Sequence, residues 1–315
     1  VATRLTDAEG KISFVGMVYG NFTIKETKAL EGYVIDEELF NGKVITINDE
    51  TSDPNHIVVL KNRMNTLTIT NQNVKGELLD GAEFKLEKKN GEAYDLIHQS
   101  ISLHNGQLVL SGLKSGVYRL TELVAPQGYV RNLESLEFEI TENSIGQAED
   151  VTVSYTNYKG SVRLKKTGET GDILPGVTFN LYDVNDNLVL ENLVSDNNGE
   201  VLIENQLSPG EYYFVEKETV DGYIVNESPY HFEISIESKG EPSVVEVKAV
   251  NYKGSVEFKK VAETGEVLSD VEFELYQSGN ETPIEKAISD EQGMVRVNQL
   301  APGSKRRVYP KYKTN

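Results

Sequence analysis

The sequence predicts an all-β protein in which β-sandwich domains follow one another along the chain. The first observation is repetition: a motif ending in Gly-Tyr carries its glutamate at Glu26, Glu122 and Glu216, spaced 96 and 94 residues apart. The second is the alternation of apolar and polar residues over short runs, with no sustained period of 3.6 residues. The third is a set of turn sequences ending in glycine at 104–106, 197–199 and 291–293. These patterns are typical of β-sandwiches.

A closing motif divides the chain, and it is predicted to form the last strand of each repeat: VVLKN (58–62), SYTN (154–157) and KAVN (248–251). Its asparagines, Asn62, Asn157 and Asn251, are spaced 95 and 94 residues apart. They define repeats one to four, with the bounds 1–62, 63–157, 158–251 and 252–315. Repeats two and three are whole, repeat one lacks its opening strands, and repeat four loses the pattern near its end. The junctions between repeats are very short, so we expect an elongated, stiff rod.

Composition narrows the function classes. The chain of 315 residues carries a formal net charge of −19, so it lacks the basic footprint that nucleic-acid binding requires. No stretch approaches the roughly 20 apolar residues of a membrane span, and there is no cysteine for disulfides. The four histidines have no metal-ligand spacing. We therefore expect no cofactor, no metal, no nucleic-acid partner and no membrane span.

Three polar residues of repeat three extend otherwise apolar strand faces. Alternation along SVRLKK (161–166) puts Lys166 on the apolar face of its strand. The same rule puts Glu216 on a face with aromatic residues and Asn251 on a face with valine and alanine. Burying any one of the charged groups alone would cost several kcal/mol. Burying all three side chains in contact changes their chemistry.

Together, the three groups predict a self-formed cross-link. Burial lowers the pKa of an amine and raises that of a carboxyl group. The amine of Lys166 then becomes a nucleophile, while Glu216 polarises the amide of Asn251 and passes protons to the departing ammonia. Contact within a fold can supply an effective molarity of about 10⁵ M. The predicted product is a Lys166–Asn251 isopeptide bond, and we expect no catalysis on a separate substrate.

Each of these residues taken singly has an ordinary interpretation. A lysine or glutamate at a strand end commonly reaches solvent, and an asparagine before a turn is a common turn former. The coincidence of all three at equivalent places favours the reactive site, because the glutamate and the asparagine recur in three repeats.

The other repeats carry partial sets. In repeat two, Asn71 stands where Lys166 stands in repeat three. We therefore expect no cross-link there, and we predict that Asn71, Glu122 and Asn157 form a hydrogen-bonded polar cluster instead.

Repeats one and four are incomplete in different ways. Repeat one has Glu26 and Asn62, and its lysine would precede residue 1. Repeat four has Lys260 on an inward face, with neither a glutamate nor an asparagine partner. Only repeat three is expected to form the bond.

One stretch carries a family resemblance. YRLTELVAPQGY (118–129) resembles the YxLxETxAPxGY "E-box" of Gram-positive pilins and surface adhesins. With openings such as ELLDGAEFKL (77–86) and the closing asparagine, the repeats resemble Cna B-type domains, also called SpaA-like or prealbumin-like, over essentially the whole chain. The resemblance implies a reversed immunoglobulin-like β-sandwich, a wall-anchored Gram-positive protein and a self-formed isopeptide bond. In that family the lysine lies in the first strand, the asparagine in the last and the glutamate in the E-box, which maps onto Lys166, Asn251 and Glu216.

The end of repeat four departs from the family pattern. SKRRVYPKYKTN (304–315) stands where an aromatic residue, an apolar residue and a glutamate are expected. It contains Val-Tyr-Pro-Lys at 308–311, which is similar to the pilin motif whose lysine a sortase joins to the next subunit. We favour a coincidental basic tail, and the alternative is that Lys311 is a sortase lysine. No LPxTG sorting signal is present, so we expect the anchor to lie outside these residues.

Three functions remain open. The chain can be a stiff stalk of a secreted, cell wall-anchored protein, an adhesin that binds a host extracellular matrix protein, or a pilin subunit polymerised by sortase. We favour the stalk, because no exposed aromatic cluster or long loop in the sequence singles out a binding face. A hydrolase or sugar-binding module would need paired carboxylates in a cleft, whereas the many acidic residues here are typical of solvated strand faces.

Overall fold

The computed structural model describes residues 2–48, 57–143, 147–277, 279–302 and 306–310, the last range as backbone. The chain forms two compact units. The first comprises Val1–Pro126 and Glu134–Thr156, and the second comprises Gln127–Leu133 and Asn157–Asn315. Strands and turns dominate the described residues, which confirms the predicted all-β class.

Repeat one contains few regular elements, namely β1 (Gly20–Ile24), β2 (Tyr33–Val34), α1 (Glu37–Asn41) and β3 (Lys43–Ile47). Strands β1 and β3 pair antiparallel, and β2 pairs with β4 (Arg63–Met64). The carboxylate of Asp36 caps α1 by accepting from the backbone N–H of Glu38 at 2.9 Å. Three buried side chains make its small core: Ala29, Ile35 and Leu39.

Repeat two is a sandwich of two sheets. Its strands are β5 (Thr66–Gln72), β6 (Glu83–Asn90), β7 (Ala93–Ser102), β8 (Gln107–Ser111), β9 (Gly116–Val124), β10 (Arg131–Asn132), β11 (Leu136–Ile140) and β12 (Val151–Thr156). One sheet has the order β12-β5-β8 and the other β11-β9-β6-β7. The first long strand, β5, pairs with the last, β12, in parallel. The core between the sheets includes the fully buried side chains of Leu67, Phe84 and Leu120.

Repeat three has the same plan. Its strands are β13 (Gly160–Gly168), β14 (Thr178–Asp183), β15 (Leu188–Val194), β16 (Glu200–Leu207), β17 (Gly210–Glu218), β18 (Tyr230–Ile234), β19 (Glu237–Ser238) and β20 (Val245–Asn251). The sheets are β16-β13-β20 and β15-β14-β17-β18. Strand β13 pairs with β20 in parallel, and Leu164, Phe179 and Phe214 are fully buried between the sheets.

Repeat four starts the same plan. Its described strands are β21 (Gly254–Lys259), β22 (Glu272–Gln277), β23 (Glu285–Ile288), β24 (Met294–Leu300) and β25 (Arg306–Pro310). Strand β21 pairs with β24, and β23, β22 and β25 form the facing sheet.

The closing strand predicted at 58–62 in repeat one is wrong. Residues 57–62 form no ladder pairing, and Leu60 is exposed. In repeats two and three the last strand pairs with the first long strand. Residues 2–19 contain no strand that could serve as this partner. Without a partner, the backbone groups of a last strand remain with water.

The two short junctions of the second compact unit are held by backbone hydrogen bonds. The carbonyl oxygen of Tyr158 accepts from the N–H of Val130 at 2.8 Å, and that of Tyr252 accepts from the N–H of Ile224 at 2.9 Å. Strand β10 also pairs in parallel with β19. The junction residues therefore belong to the folded structure and are not free linkers.

A glycine turn fixes the backbone at one place in the first strand of three repeats. The glycine that ends each turn has a positive φ: +71° for Gly106, +73° for Gly199 and +71° for Gly293. The carbonyl oxygens of these glycines accept in turn from the backbone N–H groups of Asn71 at 2.9 Å, Lys166 at 2.7 Å and Lys260 at 2.7 Å. Asn71 and Lys260 therefore hold the place in their repeats that Lys166 holds in repeat three.

Replacing this glycine should disturb the backbone at Lys166. A Cβ at position 199 would lie 2.6 Å from the carbonyl oxygen of Lys166, and a positive φ costs other residues about 1–2 kcal/mol. We expect Gly199→Ala to lower the unfolding free energy of repeat three by about 2 kcal/mol or more in urea titrations. Gly171→Ala is a matched control, because φ is +91° there and a Cβ meets no atom within 4 Å. Equal losses in the two variants would contradict the steric explanation.

Candidate functional site

Strands from both sheets of repeat three bring Lys166, Glu216 and Asn251 together. Lys166 lies opposite Ala249 in the β13–β20 ladder, and Asn251 follows two residues later on β20. Glu216 lies on β17 in the facing sheet, opposite Phe179. The exposed fractions of the three polar residues are 0%, 2% and 0%. A fully buried lysine is rare unless it has a partner.

The three side chains form a closed set of contacts. Nζ of Lys166 donates to Oε2 of Glu216 at 2.7 Å and to Oδ1 of Asn251 at 2.5 Å. Nδ2 of Asn251 donates to Oε1 of Glu216 at 2.5 Å. A single carboxyl group therefore bridges the amine and the nitrogen of the amide, with one oxygen to each.

Two aromatic rings line the amine, and sequence reasoning missed both. Nζ of Lys166 lies 5.6 Å from the ring centroid of Phe179 and 5.7 Å from that of Tyr230. These rings replace water around the amine. The sequence gives little indication of their role, because aromatic residues on inward strand faces are common in any hydrophobic core.

Thr219 is a further member of the site that the sequence did not indicate. Its Oγ1 accepts a second hydrogen bond from Nδ2 of Asn251 at 2.7 Å. Alternation from Glu216 would point Thr219 to the opposite face, but the register of β17 shifts at a β-bulge between Glu216 and Glu218. The threonine that directly follows Glu26 in repeat one, as in the E-box pattern, is a sequence signal for a hydroxyl near this glutamate.

Burial shifts the pKa of the Lys166 amine. It lowers the pKa of Lys166 below the ordinary value of 10.5, although the hydrogen bond and the charge of Glu216 oppose this shift. A lowered pKa increases the share of neutral amine, which is the nucleophilic form. Burial also raises the pKa of Tyr230 to about 12, and the charge of Glu216 adds to that shift. The phenol therefore stays protonated at neutral pH.

This arrangement is suited to amide exchange. The nucleophile touches the amide that it would attack, and the bridging carboxyl group can accept a proton from one nitrogen and deliver a proton to the other. The surroundings are dry, which strengthens these polar interactions.

Repeat one assembles the amide–carboxyl half of the site. Nδ2 of Asn62 donates to Oε1 of Glu26 at 2.7 Å, and both side chains are half-buried. This contact reproduces the one between Asn251 and Glu216.

Repeat two has the register of the site, with Asn71 at the place of the lysine. Asn71 lies opposite Tyr155, as Lys166 lies opposite Ala249. Asn71 is fully buried, yet neither its amide nitrogen nor its amide oxygen has a hydrogen-bond partner among the described residues. The predicted hydrogen-bonded cluster is therefore wrong for Asn71. Asparagine has one methylene before its amide, whereas lysine has four before its amine, so Asn71 cannot extend as far.

The other two residues of that expected cluster are buried as well. Glu122 is 2% exposed and lies opposite Phe84, which is the register of Glu216 in repeat three. Asn157 is fully buried, and its Nδ2 donates to the carbonyl oxygen of Val130 at 3.3 Å.

Repeat four places a proline where the site needs its carboxyl group. The backbone register of β25 puts Pro310 opposite Phe273, as Glu216 lies opposite Phe179. Lys260 is half-buried. The candidate sortase lysine, Lys311, lies outside the described residues.

Within the described ranges, no group of three or more histidine, aspartate or glutamate residues could hold a metal ion. No helix in this part of the chain has the length and apolar character needed to cross a membrane.

The lowered pKa of Lys166 predicts a pH-dependent stability once Glu216 is neutralised. In Glu216→Gln the bridging carboxyl group is absent, so burial alone acts on the amine and its folded-state pKa stays below 10.5. The unfolded chain then binds more protons, and stability falls as the pH is lowered from about 10.5 towards the folded-state pKa, by at most about 1.4 kcal/mol per pH unit. Urea titrations of repeat three at several pH values measure this slope.

The matched control for the pH series is the double variant Lys166→Met/Glu216→Gln, which has no amine at this place. We expect its unfolding free energy to lack the additional slope. The same slope in both variants would contradict the assignment to Lys166.

Solved structures similar to the chain come from Gram-positive bacteria. The Bacillus anthracis TIE protein is 24% identical with a TM-score of 0.44, and the match covers 80% of this chain but only 46% of the TIE protein. A streptococcal ancillary pilin is 19% identical with a TM-score of 0.38, with coverage of 79% of this chain and 96% of the pilin. GBS52, the minor pilin of Streptococcus agalactiae, is 19% identical with a TM-score of 0.28, with coverage of 63% and 99%. No curated protein sequence matches the chain.

A family model gives the stronger comparison. The model described as the SpaA prealbumin-like fold domain matches four times, over residues 1–61, 65–155, 160–251 and 254–308. These matches cover most of the chain and confirm the resemblance predicted from the E-box. The chain therefore belongs to the family of SpaA prealbumin-like fold domains.

Proposed function

We propose that the chain is a load-bearing structural segment of a Gram-positive surface protein of the pilin type, and that its third repeat joins Lys166 to Asn251 through an isopeptide bond. The observation that carries this proposal is the buried contact of the Lys166 amine with both the amide of Asn251 and the carboxyl group of Glu216. Membership of the family supports the structural role.

The reaction balances within the three side chains. Within the ion pair, Oε2 of Glu216 first takes one proton from the Lys166 ammonium, which leaves a neutral amine and a neutral carboxyl group. Neutral Nζ then attacks the side-chain amide carbon of Asn251. The carboxyl group gives its proton to Nδ2, which leaves as ammonia, and the resulting carboxylate takes the proton that Nζ loses as the new amide forms. One C–N bond forms, one C–N bond breaks, and nothing is oxidised or reduced. The product amide resists reducing agents.

The position of the bond gives it a mechanical role. Tension along the chain enters repeat three through its first strand, β13, and leaves through its last, β20. A bond between residues 85 positions apart closes a loop that contains most of the repeat. Force then passes through the covalent bond, so the strands inside the loop are shielded from extension.

The repeats differ in whether they carry the residues that the isopeptide bond requires. Repeat two has Asn71 at the place of the lysine, and repeat four has Pro310 at the register position of the glutamate. We therefore propose that these two repeats rely on noncovalent contacts alone, so that the locked repeat three follows one unlocked repeat and precedes another along the chain.

Location and partners follow from the family. An extracellular, cell-surface position fits Gram-positive pilin-type domains, and we propose secretion followed by sortase-dependent anchoring to the cell wall. Two finer alternatives accompany the stalk: adhesion to a host extracellular matrix protein, and polymerisation through Lys311.

The isopeptide bond predicts a mass deficit. We expect the intact chain to be lighter than its sequence mass by one ammonia. Glu216→Gln should remove the deficit, because a neutral amide cannot shuttle the protons. Glu122→Gln changes the equivalent glutamate of repeat two and should keep it. A full mass for the unsubstituted chain, or loss of the deficit in Glu122→Gln, would count against the proposal.

The mechanical role predicts that the loop closed by the bond in repeat three does not extend under load. When the full chain is pulled by its ends in a single-molecule experiment, the loop of 85 residues in repeat three should never extend. In Glu216→Gln the same loop should add roughly 300 Å of contour length in one step, at about 3.5 Å per residue. Unfolding steps from repeat two serve as the internal control in both proteins. An identical set of steps in the two proteins would show that repeat three carries no lock.

A further inference from the structure

The outer face of one sheet in repeat three carries a row of aromatic side chains that the sequence analysis did not detect. Tyr182 of β14, Tyr213 of β17 and His231 of β18 lie opposite one another in the ladder. The ring centroids of Tyr182 and Tyr213 are 5.4 Å apart and stacked, and those of Tyr213 and His231 are 5.3 Å apart. This aromatic row (Tyr182, Tyr213 and His231) faces away from the core and from the isopeptide site.

A surface depression of about 310 Å³ adjoins the aromatic row. The residues that line it are Val184, Asp186, Glu211, Tyr212, Tyr213, Val215, Pro229 and His231. It therefore combines aromatic and apolar walls with two carboxylates, and among the described side chains no lysine or arginine lines it.

Among the described residues, neither carboxylate at this depression forms an ion pair with a lysine or arginine. The hydroxyl of Tyr213 donates to Oδ1 of Asp186 at 2.6 Å, which orients that carboxylate beside the ring. Glu211 lies directly opposite Glu233 in the β17–β18 ladder, and both are exposed. Like charges opposite one another are unfavourable, so a bound cation would relieve this repulsion.

The equivalent outer face of repeat two carries an arginine between two glutamates. Its equivalent row is Glu87, Arg119 and Glu137, in the same register. Nε and Nη2 of Arg119 donate to Oε2 of Glu87 at 3.0 and 2.8 Å, and the guanidinium carbon lies 3.9 Å from the ring centroid of Tyr94. Burial alone would raise the pKa of Glu87, but the hydrogen bonds from Arg119 and Lys85 lower it below its ordinary value. Repeat two thus supplies its own guanidinium to a carboxylate and a tyrosine ring.

We propose that the aromatic row of repeat three is a recognition surface for an arginine side chain of an extended partner peptide. The guanidinium group would enter the depression, stack on an aromatic ring and pair with Asp186 and Glu211. Arginine suits this surface better than lysine, because its planar, weakly hydrated cation stacks on rings and binds carboxylates with two donors. The net charge of −19 attracts a basic partner at long range.

The test uses the full chain and three short peptides. The probe is acetyl-Gly-Gly-Arg-Gly-Gly-amide, and the comparison peptides replace arginine with lysine or with citrulline, which has the same shape but no charge. Backbone amide NMR shifts of β14, β17 and β18 should respond saturably to the arginine peptide, more weakly to the lysine peptide and not to the citrulline peptide. Raising the salt concentration from about 0.05 to about 0.5 M should weaken binding roughly threefold or more.

Variants separate recognition from folding. Tyr182→Glu/Tyr213→Arg recreates the row of repeat two and should abolish binding, because the face then carries its own guanidinium. Glu211→Gln, on an exposed position, should weaken binding roughly threefold. Tyr94→Phe in repeat two is the matched control and should leave binding of the arginine peptide unchanged. Well-dispersed amide spectra of each variant report that repeat three is folded.

Three outcomes would overturn the proposal. The first is the absence of any saturable shift up to about 10 mM peptide, beyond which affinity is negligible. The second is equal binding of the arginine and citrulline peptides. The third is full binding by a folded Tyr182→Glu/Tyr213→Arg chain.

Discussion

The contact between a buried amine, a buried carboxyl group and a buried amide is the interaction on which the account of repeat three depends. Lys166, Glu216 and Asn251 are each almost completely excluded from solvent, and a fold tolerates such groups only when they satisfy one another. The same exclusion of water that makes the set costly also makes it reactive, because it favours the neutral amine and holds the reacting groups in contact. The sandwich supplies this environment through two features, the parallel pairing of β13 with β20 and the glycine turn that fixes the backbone of Lys166.

Much of this arrangement could be predicted from the sequence, because it follows from periodicity. Alternation along each strand correctly put Lys166, Glu216 and Asn251 on inward faces, and the spacing of the motifs correctly indicated repeated all-β domains. Thr219 escaped prediction because a β-bulge breaks the alternation on which the reasoning relied. Asn71 was assigned a hydrogen-bonded role from its place in the pattern, but pattern does not report how far a side chain reaches. The prediction of a closing strand in repeat one was wrong for a third reason, because a strand forms only where a partner strand is available.

The inner and outer faces of the sandwich vary independently between repeats two and three. On the inner face, Lys166 of repeat three corresponds to Asn71 of repeat two, and in our proposal this difference decides whether a repeat forms the isopeptide bond. The outer face varies independently: the row that carries Glu87 and Arg119 in repeat two carries Tyr182 and Tyr213 in repeat three. Because successive side chains of a strand point to opposite faces, residues of the outer face can change without disturbing the buried interior.

Peptide mapping of the unreduced, unsubstituted protein tests the central claim most directly. After proteolysis, tandem mass spectrometry should find one branched peptide in which a segment of β13 is joined to a segment of β20. The fragments should place the junction between Nζ of Lys166 and the side-chain carbonyl carbon of Asn251. Recovery of the two segments only as separate linear peptides, each with an intact lysine or asparagine, would contradict the account.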